Sequence, residues 1–138
     1  MQGSRRRAGT DDQPRTDQAP VVAIVDDDAS VRQSMLRLIR SFGYRAEAFG
    51  SGEEFLRSPT AAETACLLLD VRMPSMDGLE VQRRLAERGA QIPVVFITGQ
   101  ATDDEERRAR RGGAVEFLRK PVGRARLFDV LQNLTRQK

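Results

Sequence analysis

The chain contains no histidine, which excludes imidazole acid/base catalysis, histidine metal ligands and a phosphohistidine within this molecule. Any such chemistry must come from a partner. Its single cysteine, Cys66, cannot form an internal disulfide and lies in an apolar run, where a thiol acts as a small buried hydrophobe suited to a reducing compartment. No apolar run approaches the roughly 18 residues of a membrane span, and the first residues are polar, so neither a span nor a secretory signal is expected. The expected compartment is the cytoplasm, with no membrane partner. Neither G-x-x-x-x-G-K-[ST] nor G-x-G-x-x-G occurs, which disfavours nucleotide binding. Lysine is nearly absent; the sequence pI of 9.7 arises from 23 cations set against 20 anions and gives little reason to expect direct nucleic-acid binding.

The chain is long enough, at 138 residues with 39% apolar and 31% charged, for one globular domain with its own core. Residues 1–20 carry Ser4, Gly9, Thr10, Pro14 and Pro20 with charges of both signs, the composition of a disordered tail. Arg5-Arg6-Arg7 reads as part of a solvated terminus. The folded domain is expected over residues 21–138.

Within it, Val21–Val25 is an apolar, β-branched run and hence a buried strand, ending in Asp26-Asp27-Asp28. Asp28 can cap a helix bearing Val31, Met35, Leu38, Ile39 and Phe42 at helical spacing, closed by Gly43 in a left-handed conformation. Residues 44–49 alternate as an outer strand would, and Ser51 caps a short helix with Phe55 and Leu56. A loop over residues 59–64 leads to a central strand over 65–70, apolar on both faces and ending on Asp70. Met76-Asp77-Gly78 turns the chain into a helix with Leu79, Val81, Leu85 and Ala86, stopped at Gly89. A strand over 93–97 leads to Thr98-Gly99. Residues 103–111 form a helix with acids first and cations last, paired 103/107, 104/108 and 106/110, and only Ala109 apolar. A fifth strand over 114–118 ends at Lys120-Pro121, and Leu127, Val130, Leu131 and Leu134 mark the last helix. Strands and helices alternate throughout, which is the rhythm of a doubly wound parallel α/β sheet.

A parallel sheet brings all its carboxyl ends to one edge, where open α/β sheets bind ligands. Asp26-Asp27, Asp70, Thr98 and Lys120 stand at four such ends. The three adjacent acids Asp26-Asp27-Asp28 repel one another, so a cation or a Lys/Arg must offset them unless all three point to water. An all-oxygen ligand set selects Mg²⁺ or Mn²⁺ over zinc, a carboxylate can act as nucleophile, and a hydroxyl and an ammonium can hold phosphoryl oxygens. These are the parts of phosphoryl transfer to an aspartate.

Val25-Asp26-Asp27, Asp70 with Met73-Pro74 and Asp77-Gly78, Thr98-Gly99 and Lys120-Pro121, in this order, resemble the CheY-like receiver domains of two-component response regulators over residues 21–136. The resemblance is greatest to receivers of FixJ/LuxR-type regulators. It implies a flavodoxin-like fold of five strands in the order 2-1-3-4-5, an order that comes from the resemblance alone. It implies that Asp70 accepts a phosphoryl group from a histidine kinase, that Asp27 ligates Mg²⁺ directly and Asp26 mostly through water, and that the backbone carbonyl of Arg72 completes the ligands. Thr98 and Lys120 would hold the phosphoryl group. Phe117 takes the aromatic switch position, Gly99 leaves access, Lys120-Pro121 is cis, and Arg72 and Gln100 tune phosphoryl lifetime.

The same resemblance places output on the face of the helix over 103–111, the strand after it and the last helix. That output passes to another protein or to an output domain outside this chain, and a phosphorylation-dependent homodimer is a further expectation. One alternative is the receiver fragment of a LuxR-type DNA-binding transcription regulator. A remote one is a Mg²⁺ phosphohydrolase with Asp70 as nucleophile; that class places a second acid two residues on, where this chain has Arg72. Only self-phosphorylation from small donors and self-dephosphorylation are expected as catalysis.

Overall fold

A computed structural model describes residues 19–135; nearly all of the expected tail, with Arg5-Arg6-Arg7, lies outside the described residues. The order is β1 (Val21–Val25), α1 (Ala29–Ser41), β2 (Arg45–Phe49), α2 (Gly52–Arg57), a 3₁₀ turn (Ala61–Glu63), β3 (Thr64–Leu69), α3 (Gly78–Glu87), β4 (Val94–Thr98), α4 (Asp103–Arg111), β5 (Glu116–Arg119) and α5 (Arg124–Thr135). All strand pairs are parallel, and the sheet order is β2-β1-β3-β4-β5. The expected doubly wound, flavodoxin-like arrangement is therefore observed.

The apolar strands divide by parity because successive side chains point to opposite faces. Ala23, Val25, Leu67, Leu69, Val94, Phe96 and Phe117 meet α2, α3 and α4 on one side, with Phe55, Val81 and Leu85. Val22, Ile24, Cys66, Leu68, Val95, Ile97 and Leu118 meet α1 and α5 on the other, with Ile39, Leu127 and Leu131. Burial on both faces is what turns β1, β3 and β4 into continuous apolar runs, and each fully buried Leu or Phe contributes about 1.5–3 kcal/mol.

Local signals are where the sequence places them. The Asp28 carboxylate accepts from the Ser30 and Val31 amides, and the Ser51 hydroxyl accepts from the Glu54 amide. Gly43 closes α1 at φ 99° and Gly89 follows α3 at φ 73°.

Boundaries differ by a residue or two. The central strand is Thr64–Leu69, so Asp70 stands just past it, and β4 and β5 begin one and two residues later than expected. The segment read as a loop over 59–64 holds the 3₁₀ turn and the first residue of β3. Strand limits here follow from ladder partners, which local composition does not specify.

The pairs expected along α4 are partly replaced. Glu106 does meet Arg110, but Asp104 meets Arg107 and Asp103 turns to Arg119 of β5. Arg119 also takes Glu106 at 3.0 Å, since a cation on the adjoining strand competes with those one turn away. Ala109 is the only buried residue of α4, as its sequence implied.

Cys66 is fully buried, and burial pushes its thiol up to about 12. The folded chain therefore keeps its proton where the unfolded chain, ionising near 9, loses it. Stability should fall as pH rises from about 9 towards 12, by up to about 1.4 kcal/mol per pH unit for one proton. At neutral pH the thiol should react with a chromogenic disulfide only on unfolding; labelling of the native chain at the rate of a free thiol would contradict this.

Candidate functional site

Main-chain hydrogen bonds that continue past the strand ends hold the polar residues at the carboxyl edge. The Asp26 amide donates to Phe49 O (3.2 Å), the Asp70 amide to Val25 O (3.1 Å) and the Lys120 amide to Thr98 O (2.8 Å). These side chains thus stand on extensions of the sheet, which is stiffer than a free loop.

The carboxylates of Asp26, Asp27 and Asp70 bring oxygen atoms within 4.8 Å of one another. Asp26 and Asp70 are buried and Asp27 is exposed. Lys120 reaches into the cluster from β5, its Nζ 3.0 Å from Asp26 Oδ2 and 3.3 Å from Asp70 Oδ2. Asp28 has left the cluster to cap α1, and its amide donates to Asp26 Oδ1 at 2.9 Å. The structure thus brings together Asp26, Asp27, Asp70 and Lys120.

Burial, helped by the charge on Asp26, raises the pKa of Asp70 above the ordinary aspartate value; Lys120, the Arg72 amide and the nearby Thr98 hydroxyl oppose this. Burial alone would lower Lys120, but its bonds to Asp26 and Asp70 outweigh it and hold the ammonium above its usual value. The site is short of positive charge for three acids, and its donors are all oxygen. That donor set fits a hard divalent cation, Mg²⁺ or Mn²⁺.

Thr98, fully buried, donates its hydroxyl to Gln100 O (2.9 Å) and accepts from the Gln100 amide (3.2 Å). Arg72 donates its amide to Asp70 Oδ1 at 3.2 Å, while its guanidinium pairs with Glu105 at 2.8 Å. Phe117 is buried beside Phe96, with ring centroids 5.8 Å apart, and the Arg119 guanidinium lies over its face. The Lys120-Pro121 bond is cis.

Two glycines have different reasons. A Cβ on Gly78 would stand 2.2 Å from Asp70 O, so no side chain fits where α3 starts against the end of β3. A Cβ on Gly99 would meet only Lys120, at 3.8 Å. Packing within the chain does not require glycine there.

Two contributors had not been singled out from the sequence. Arg32 of α1 donates to Asp26 O at 2.8 Å and steadies the turn carrying the acids; no local signal marks it. Glu105 could have been found, because Thr102 and Glu105 have the spacing of a helix capping box and form one.

A doubly wound sheet that gathers acids, a hydroxyl and an ammonium at its carboxyl edge defines an α/β domain of the class that presents polar groups for ligands at that edge. The profile of the response regulator receiver domain matches residues 22–132, and the chain belongs to that family. Response regulator protein TmoT of Ectopseudomonas mendocina is 45% identical over 120 residues, 87% of this chain and 54% of that protein. Transcriptional regulatory protein FixJ of Bradyrhizobium diazoefficiens is 32% identical over 116 residues, 84% of this chain and 57% of that protein. A response regulator receiver protein from Burkholderia phymatum is 40% identical, with a TM-score of 0.73 covering 84% of this chain and 94% of that one. The chain spans about half the length of these curated relatives. It is a two-component receiver domain, a signalling module of a family that binds Mg²⁺ through acidic residues and works with histidine kinases and output domains. Among the described residues, no helix is long and apolar enough to cross a membrane.

Proposed function

We propose that Asp70 is the phospho-acceptor of a histidine-to-aspartate relay. The observation that carries this is the junction of Lys120 with Asp26 and Asp70, residues 94 and 50 positions away in sequence, at 3.0 and 3.3 Å. A carboxylate oxygen of Asp70 attacks phosphorus, an O–P bond forms, the donor's P–N bond breaks and its electron pair leaves with the imidazole. The raised pKa of Asp70 marks a carboxylate whose charge is poorly stabilised in the free chain. Asp26, Asp27, Asp70 and the Arg72 carbonyl would hold Mg²⁺, which when bound neutralises charge on the phosphoryl oxygens. Lys120 keeps its proton and pairs with one oxygen. Thr98 gives up its bond to Gln100 O to donate to another, and Gly99 leaves room for the group.

That movement of Thr98 draws on the loop leading into α4, which buries only Ala109. Phosphorylation would shift the face of α4, β5 and α5, with Phe117 moving beneath it, towards a partner protein, an output domain outside this chain or a second copy. Hydrogen exchange should find the α4 amides less protected than those of α1; equal protection would count against α4 as the mobile element. Arg72 and Gln100 are proposed to tune phosphoryl lifetime, and Arg72→Asn should alter self-dephosphorylation. An unchanged rate would remove Arg72 from that role. The acceptor assignment itself is tested by intact mass after treatment with acetyl phosphate and Mg²⁺.

Relatives that are transcriptional regulatory proteins, FixJ among them, support a second, compatible reading, in which this receiver controls a DNA-binding domain, of the LuxR type that the motifs suggest. A phosphohydrolase is disfavoured because the residue two beyond Asp70 is Arg72, whose guanidinium pairs with Glu105 and which cannot act as a general acid.

A further inference from the structure

The ion pair between Arg72 and Glu105 joins the loop that follows Asp70 to the first turn of α4, at 2.8 Å. Its two ends are held differently. The Arg72 side chain is half exposed, but its own amide is bonded to Asp70 Oδ1. Glu105 is mostly buried, with 13% of its side chain exposed, and its other oxygen accepts from the Thr102 amide at 2.9 Å, closing the capping box. One carboxylate therefore completes the helix cap and restrains the cation two residues beyond the acceptor.

We propose that Glu105 is a positioning residue that holds Arg72 away from Asp70 and so sets both the lifetime of the phosphoryl group and the attachment of α4 to the acceptor loop. The inference rests on the acceptor reading of Asp70. A phosphoryl group on Asp70 brings about −1.5 to −2 charges and three acceptor oxygens. These compete with the single charge of Glu105 for a guanidinium whose backbone already touches the Asp70 carboxylate. When Arg72 moves to the phosphoryl group it shields the acyl bond from water, and the first turn of α4 loses its tie to the loop. The cap remains, because Thr102 keeps its bonds to Glu105. The competition depends on salt, since the Arg72 end is solvent-facing.

Glu105→Gln separates the two roles of Glu105, because a glutamine still completes a capping box but carries no charge for Arg72. In the unphosphorylated full chain, exchange of the α4 amides should rise about two- to fivefold in Glu105→Gln, the range expected for loss of a partly exposed ion pair. Arg72→Gln should give the same rise, and the double variant no more than either single one. The half-life of phosphorylated Asp70 should lengthen about two- to fivefold in Glu105→Gln, where Arg72 is free to reach the phosphoryl group. In an Arg72→Gln background, Glu105→Gln should leave that half-life alone. Wild-type exchange in Glu105→Gln, additive effects in the double variant, or a lifetime effect that persists without Arg72 would each overturn the proposal. Absence of any phosphoryl group on the wild-type chain would instead overturn the acceptor reading, and with it the lifetime role; the exchange measurement would still decide the attachment of α4.

Discussion

Treated with acetyl phosphate and Mg²⁺, the wild-type chain should gain the mass of one phosphoryl group, and Asp70→Asn should gain none. An amide oxygen is a poor nucleophile and would yield no stable acyl phosphate, so the expected loss is complete. The neighbouring acids are not expected to substitute, because Asp26 is engaged by both Lys120 and the Asp28 amide, and Asp27, although part of the same cluster, is exposed to water. The same variant should be more stable than the wild type in metal-free buffer at neutral pH. Burial, and then the Asp26 charge, raise the Asp70 pKa above its ordinary 3.8. The folded chain thus binds this proton more tightly than the unfolded chain, and wild-type stability declines as pH rises through that window. Asparagine carries no such penalty. Its advantage should be present at neutral pH and disappear as pH falls through the window to below 3.8. Thermal melts of the two proteins across that range check the sign; a wild type more stable than Asp70→Asn at pH 7 would show that Lys120 more than offsets burial.

Gly78→Ala should be the most damaging single methyl group at the site. Its Cβ would stand 2.2 Å from Asp70 O, 3.0 Å from the Asp70 carbonyl carbon and 3.0 Å from Phe96 Cε1. The obstacle is main chain at the end of a central strand, and the Gly78 amide is itself bonded to Val71 O at 2.9 Å. Neither side can turn aside as a flexible side chain would. The expected cost is about 3 kcal/mol, the upper part of the range for overpacked cores, with a drop in Tm of about 10 °C for a domain of this size. Relief of the clash also displaces Asp70, so phosphorylation should slow even where the protein remains folded. Gly99→Ala is the control, since its Cβ meets only the Lys120 side chain at 3.8 Å. Its Tm should stay within about 2 °C of the wild type. Equal melting of the two variants would discount the close approach at Gly78.

Much of this molecule is readable from short stretches because short-range physics specifies it. The caps at Asp28 and Ser51 are side chain-to-amide bonds spanning two or three residues, and the turns at Gly43 and Gly89 need a positive φ that glycine adopts without strain. The gathering of Asp26, Asp27, Asp70 and Lys120 was legible because they stand at the ends of apolar runs whose common edge follows from parallel topology. The charge pattern of α4 misled in part. Pairs four apart were expected, yet Arg119, distant in sequence, takes Asp103 and Glu106. Arg32 reaches the Asp26 carbonyl and Glu105 reaches the Arg72 guanidinium; the capping-box spacing marks Glu105 locally, but neither contact has a counterpart in local composition.

By itself the amino-acid order determined the alternation of strands and helices, the two-sided burial of the central strands and the chemistry available at their ends, since periodicity and side-chain type are local properties. Only the tertiary structure decided which acid meets Lys120, that Asp28 leaves the cluster for a helix cap, that Gly78 lies against the carbonyl of Asp70, and that Arg72 turns to Glu105. Each of those is a competition among partners far apart in the chain, and distance in space settles it.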